Sequence, residues 1–145
     1  MIVELVTVLA LAAPTAEAGS CAVTRPNLPA GRYGTQRLWT RLPGNGLLRL
    51  RRDADGSLFD KLAWIPDRDR GLTLSVSGRR LDGAGRLRVL GVHWGYSSTG
   101  KGSWASAVAF PSAGCWRITG RARDTTLSYV AKATTLSYVV KVVPA

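Results

Sequence analysis

The eight residues Gly95-Tyr96-Ser97-Ser98-Thr99-Gly100-Lys101-Gly102 place glycines and a lysine almost as a phosphate-binding loop does. That loop needs Ser or Thr directly after the Lys, because the hydroxyl joins the Mg²⁺ shell. Gly102 holds that place. Residues 104–110 then read as a strand closed by Pro111, where the motif needs a helix to aim its N-terminus at phosphate. The segment is therefore expected to be a hairpin loop, whose N–H groups and Lys101 can still hold an anion. Asp53-Ala54-Asp55-Gly56-Ser57 has the opening of a calcium loop, but its twelfth position is Trp64 where a Glu is required. A tight turn is expected instead. His93 is the only histidine, and neither Gly-x-Ser-x-Gly nor Cys-x-x-Cys occurs. Asp60, Asp67, Asp69, Asp82 and Asp124 are the acids that a glycosidase-like pair would have to draw on, and no spacing marks two of them as partners. No catalytic set, metal or cofactor is expected, and a hydrolase remains an alternative only.

Binding chemistry is better supplied. Five tryptophans and four tyrosines accompany 20 bases and 9 acids, for a net charge of +11. Trp94, Tyr96 and Trp104 border the glycine-rich loop and, with Lys101, are candidates for stacking on a sugar or base. For Trp94 and Trp104 a core position is equally open, while Trp39, Trp64 and Trp116 are expected inside. Arg79, Arg80, Arg86, Arg88, Arg121 and Arg123 are candidates for holding a polyanion such as an acidic glycan. If these arginines share one face, binding is favoured. If they scatter, they serve solubility and guard sheet edges. Sequence-specific nucleic-acid recognition is not expected.

The elements that must position these residues are short. Sixteen Gly and seven Pro interrupt the chain often, which favours strands over long helices. Leu72, Leu74 and Val76 alternate with Thr73, Ser75 and Ser77, the clearest half-buried strand. Strands are also expected over residues 38–40, 47–52, 58–65, 86–94, 104–110 and 115–119. In the 86–94 run Leu87 and Val89 should lie opposite Arg86 and Arg88, and in the last run Cys115 and Trp116 must face opposite sides. Turns fall at 43–46, 53–56 and 82–85, and a flexible loop at 95–103. Residues 125–133 and 134–142 repeat the pattern Thr-Thr-Leu-Ser-Tyr-Val. Nine is an odd period, so one continuous strand would put the two copies on opposite faces, and a bulge or reversal is expected near 132–134.

Residues 2–13 are almost wholly apolar, Glu4 and Thr7 excepted, and Ala16-Glu17-Ala18 follows as a small-x-small cleavage pattern. Residues 1–18 are therefore read as a signal peptide and 19–145 as a single domain. The leading Lys or Arg of a signal is missing, so a truncated start or a first strand or helix of the domain competes with that reading. Without residues 1–18 the 20 bases would face 7 acids. Cys21 and Cys115 are two cysteines in a chain read as exported, which points to a disulfide. Ala18-Gly19-Ser20-Cys21 also approaches a lipobox, in which Cys21 would be lipidated and the protein membrane-anchored.

Cys21-Ala22-Val23-Thr24-Arg25-Pro26-Asn27, Leu38-Trp39-Thr40, Gly78-Arg79-Arg80-Leu81-Asp82 and Phe110-Pro111-Ser112-Ala113-Gly114-Cys115-Trp116-Arg117-Ile118-Thr119-Gly120-Arg121 occur in that order. The chain resembles, over most of residues 21–143, a group of uncharacterised bacterial exported proteins and lipoproteins with an immunoglobulin-like sandwich. The resemblance implies an all-β, immunoglobulin-like antiparallel β-sandwich, an extracytoplasmic location and pairing of Cys21 with Cys115. It implies no activity. The resulting expectation is a non-enzymatic extracytoplasmic binding or structural module, whose partner is an envelope protein or an acidic glycan.

Overall fold

The structure, a computed structural model, describes residues 20–67, 72–124 and 133–145. The signal expected over residues 1–18 lies outside that range, as do Asp69, the Asp124 side chain and residues 125–132 of the tail repeat. Turn residues every ten positions or so cut the chain into nine described strands. They are β1 (Arg32–Gly34), β2 (Leu38–Arg41), β3 (Leu47–Leu50), β4 (Leu58–Pro66), β5 (Leu72–Arg80), β6 (Arg88–Tyr96), β7 (Gly102–Phe110), β8 (Gly114–Asp124) and β9 (Ala133–Pro144). One sheet has the order β1-β2-β4-β7-β6, the other β3-β9-β8-β5. Neighbours are antiparallel throughout, except that β3 runs parallel to β9. The expected all-β sandwich is what forms.

Alternation explains why these segments are strands and which way they face. Trp104, Ser106, Val108 and Phe110 of β7 point inward, as do Trp116, Ile118 and Ala122 of β8 and Leu136, Tyr138, Val140 and Val142 of β9. Full burial of each large side chain contributes about 1.5–3 kcal/mol. Trp64 is buried with a polar N–H, so the fold supplies an acceptor: Nε1 donates to Ser106 Oγ at 2.9 Å. Its ring fills the space over Gly120, where an added Cβ would come within 2.5 Å of it. That strand position has to be glycine.

Cys115 and Trp116 do face opposite sides, yet both are buried. Trp116 enters the core against Phe110. Cys115 lies on the outer side and is covered by the lead-in, because Cys21 is bonded to it with Cα atoms 5.5 Å apart. The lead-in is stitched to β9: Thr24 N–H donates to Val139 O, and Val139 N–H donates to Thr24 Oγ1. The disulfide takes up the Cys21 sulfur, so the lipidated alternative is not the state described.

Two expectations need correction, and a third is resolved. The strand over 86–94 starts later, and a bulge between Val89 and Gly91 breaks its alternation. Leu90, the extra residue, is 54% exposed, and Val89 on this edge strand is 38% exposed. The loop expected over 95–103 shrinks to a turn, closed by Ser97 N–H donating to Lys101 O, because β6 and β7 stay paired as far as Tyr96 and Gly102. Ala133 and Thr134 already lie in regular register with Arg123 and Ala122, so no bulge starts there. Of the bulge or reversal expected near 132–134, the reversal is found: β8 ends at Asp124 and its antiparallel neighbour β9 starts at Ala133.

Candidate functional site

In β8 the inward residues Trp116, Ile118, Gly120 and Ala122 leave Arg117, Thr119, Arg121 and Arg123 on the other face. Pairing with β5 sets Arg79 opposite Arg117, Ser77 opposite Thr119, Ser75 opposite Arg121 and Thr73 opposite Arg123. Beyond β5, an isolated bridge sets Arg86 beside Arg79. Arg86, Arg79 and Arg117 therefore form one row across three chain segments, with neighbouring Cβ atoms about 4.5–5.5 Å apart. On β9 the outward residues include Thr135, Ser137 and Lys141, and Thr119 and Ser137 share a hydroxyl–hydroxyl bond of 2.6 Å. Arg117 and Arg123 are six residues apart, about 20 Å along an extended strand. Among the described residues no acid occupies an outward position of β5, β8 or β9. The result is a basic face with interleaved hydroxyls and, among the described residues of β5, β8 and β9, no outward aromatic ring.

Four of the six arginines singled out above, Arg79, Arg86, Arg121 and Arg123, thus come together. Arg80 does not join them. It donates to Asp82 at 2.9 Å and to Ser112 Oγ at 3.3 Å. The Asp82 carboxyl is held below its usual range, chiefly by the Cys115 backbone N–H and then by Arg80. Arg88 belongs to the other sheet and meets Asp55 at 3.3 Å. Asp55 is lowered first by hydrogen bonds from Ser57, whose N–H and hydroxyl both donate to it, so the 53–57 segment is a self-capped turn. Arg117 was not singled out as a basic-site residue, although the alternation of residues 116–123 would have put it beside Arg121 and Arg123.

The aromatic candidates divide. Trp104 is 5% exposed and packs edge-on to Trp94 at 4.9 Å, so its ring belongs to the core. Trp94 is half-buried, and Tyr96 stands edge-on to it at 6.0 Å while 66% exposed. They border a shallow depression of about 300 Å³ with His93, Ser97 and Ser103. Trp39, expected inside, lies half-exposed. Its neighbours Leu38 and Thr40 take the inward positions of β2 and leave it outward. Two cations cover its ring instead: Arg32 at 5.1 Å and Lys101 at 5.7 Å from the centroid. Trp64 and Trp116 are fully buried as expected.

One carboxylate lines a groove. Asp60 sits on an inward position of β4, opposite Val108, in a cleft of about 260 Å³ formed with Thr40, Leu48, Leu62 and Tyr138. Burial raises its carboxyl above the ordinary range. Burial also pushes the Tyr138 phenol up, with Asp60 adding to the shift. No second carboxylate lines this cleft. Among the described residues no three of His, Cys, Asp and Glu gather to hold a metal, and no helix is long and apolar enough to cross a membrane. No protein-family model matches the chain, and neither a curated protein nor a solved structure does.

Proposed function

We propose that this chain is an exported, non-catalytic binding module that holds a polyanion, an acidic glycan foremost, on the outer face of its four-stranded sheet. The observation that carries the reading is the row Arg86, Arg79 and Arg117, extended along β8 by Arg121 and Arg123. Like charges set side by side repel. An anionic ligand turns that cost into binding energy, and the intervening serine and threonine hydroxyls can bond sugar hydroxyls. Among the described residues this face has no aromatic ring, which disfavours single-stranded nucleic acid, bound largely by stacking. Export is supported by the Cys21–Cys115 bridge, since disulfides persist in oxidising compartments. An immunoglobulin-like type is supported by strand order. β2-β4-β7-β6 facing β9-β8-β5 follows the two sheets of a constant-type domain, with β1 added beside β2 and β3 beside β9.

Retention on a heparin-like resin tests the reading. The wild type should bind at low salt, and its affinity should fall steeply as salt rises. A variant with Arg79, Arg117, Arg121 and Arg123 all replaced by Gln should elute at markedly lower salt. Arg88→Gln, with the same change per site but on the other sheet, should elute close to wild type. A quadruple variant that elutes with the wild type would overturn the assignment.

A further inference from the structure

The groove around Asp60 has the opposite character to the basic face. Asp55 and Asp82 each have an arginine within reach. Asp60 is more deeply placed, yet its described hydrogen bond is only that from the Lys61 backbone N–H, at 2.8 Å. The other polar groups of the cleft are committed to each other. Thr40 donates to Ala63 O at 2.6 Å, and its hydroxyl offsets part of the rise that burial gives the Tyr138 phenol. The walls are apolar, from Leu42, Leu48 and Leu62, and Arg41 and Lys61 also line the cleft while themselves exposed. Among the described residues no cation is bonded to this groove carboxylate.

We infer that this groove binds a zwitterion of amino-acid size with an apolar side chain, its ammonium on the Asp60 carboxylate and its carboxylate between Arg41 and Lys61. An ammonium would restore the solvation that Asp60 loses on burial, through a charge-assisted hydrogen bond. The apolar walls take the side chain. The cleft, about 260 Å³, falls just below the range of drug-sized ligand pockets and suits a small molecule. The site is independent of the basic sheet face and stands or falls without it.

Titration of the isotopically labelled, oxidised protein with leucine, isoamylamine or 4-methylvalerate, followed by amide NMR shifts, tests this. Leucine should move the signals of Leu48, Lys61, Leu62 and Tyr138 and saturate at millimolar concentration. Isoamylamine should bind more weakly and 4-methylvalerate weakest of the three. Asp60→Asn should weaken leucine about tenfold or more, as expected for one lost charge-assisted contact. The double change Arg41→Gln and Lys61→Gln should weaken leucine but leave isoamylamine unaffected. Binding of 4-methylvalerate equal to leucine, leucine affinity unaltered in Asp60→Asn, or shifts absent from the groove would each overturn the proposal.

Discussion

Asp60 loses part of its hydration on folding and gains only a single backbone N–H in return. Its pKa in the folded state lies above the ordinary value of an aspartate in the unfolded chain, about 3.8. The folded state therefore holds the proton more tightly. The stability due to that proton is fully present below about pH 3.8 and is lost as pH rises through the higher folded pKa. Asp60→Asn should accordingly melt above the wild type at neutral pH, with the difference closing as pH drops toward 3.8. Thermal unfolding across that pH range checks it, and an Asn variant less stable at pH 7 would mean that Asp60 has a stabilising partner. This residue was legible in the sequence only as one of five scattered acids. The sequence of β4 does not show that the other sheet stands over Asp60 at this point. Trp39 was misjudged for a related reason: a tryptophan's bulk does not tell whether its strand turns it inward, and Leu38 and Thr40 had already taken the inward positions.

Among the elements, β5, β7 and β8 were legible because period-2 alternation survives in each. β6 was not, since one bulge between Val89 and Gly91 shifts every later residue to the other face. The basic row was half-legible. Alternation places Arg121 and Arg123 together, but the match of Arg79 to Arg117 and Arg86 depends on the register between segments, which no single strand encodes. That register has a price in the unliganded protein. Arg117→Thr removes the central charge of the row and substitutes a β-branched residue suited to a strand. It should stabilise the fold by roughly 0.2–1 kcal/mol at low ionic strength, the cost of like charges set opposite. The gain should shrink as salt screens the row. Chemical denaturation of both proteins at low and high salt measures it, and a loss of stability at low salt would show the three arginines to be spread apart by some other contact.

For the whole molecule, the bridge from Cys21 to Cys115 closes a loop across 94 residues of sequence. The chain-entropy account gives such a loop about 4–5 kcal/mol. Unfolding of the reduced, alkylated protein should begin at correspondingly lower denaturant, without a change in the sheet signal of whatever fraction stays folded. An unchanged midpoint would mean that the hydrogen bonds between Thr24 and Val139 fasten the lead-in by themselves. The parallel pairing of β3 with β9 also governs when this fold can exist. β9 lies between β3 and β8, so the four-stranded sheet has no interior until residues 133–144 are available. Leu47 must find Lys141 across most of the chain, a closure that rewards nothing until it is complete. Without β9 the second sheet is reduced to the β8–β5 pair, β3 has no neighbour, and the core stays open. The core therefore closes only when β9 docks between β3 and β8.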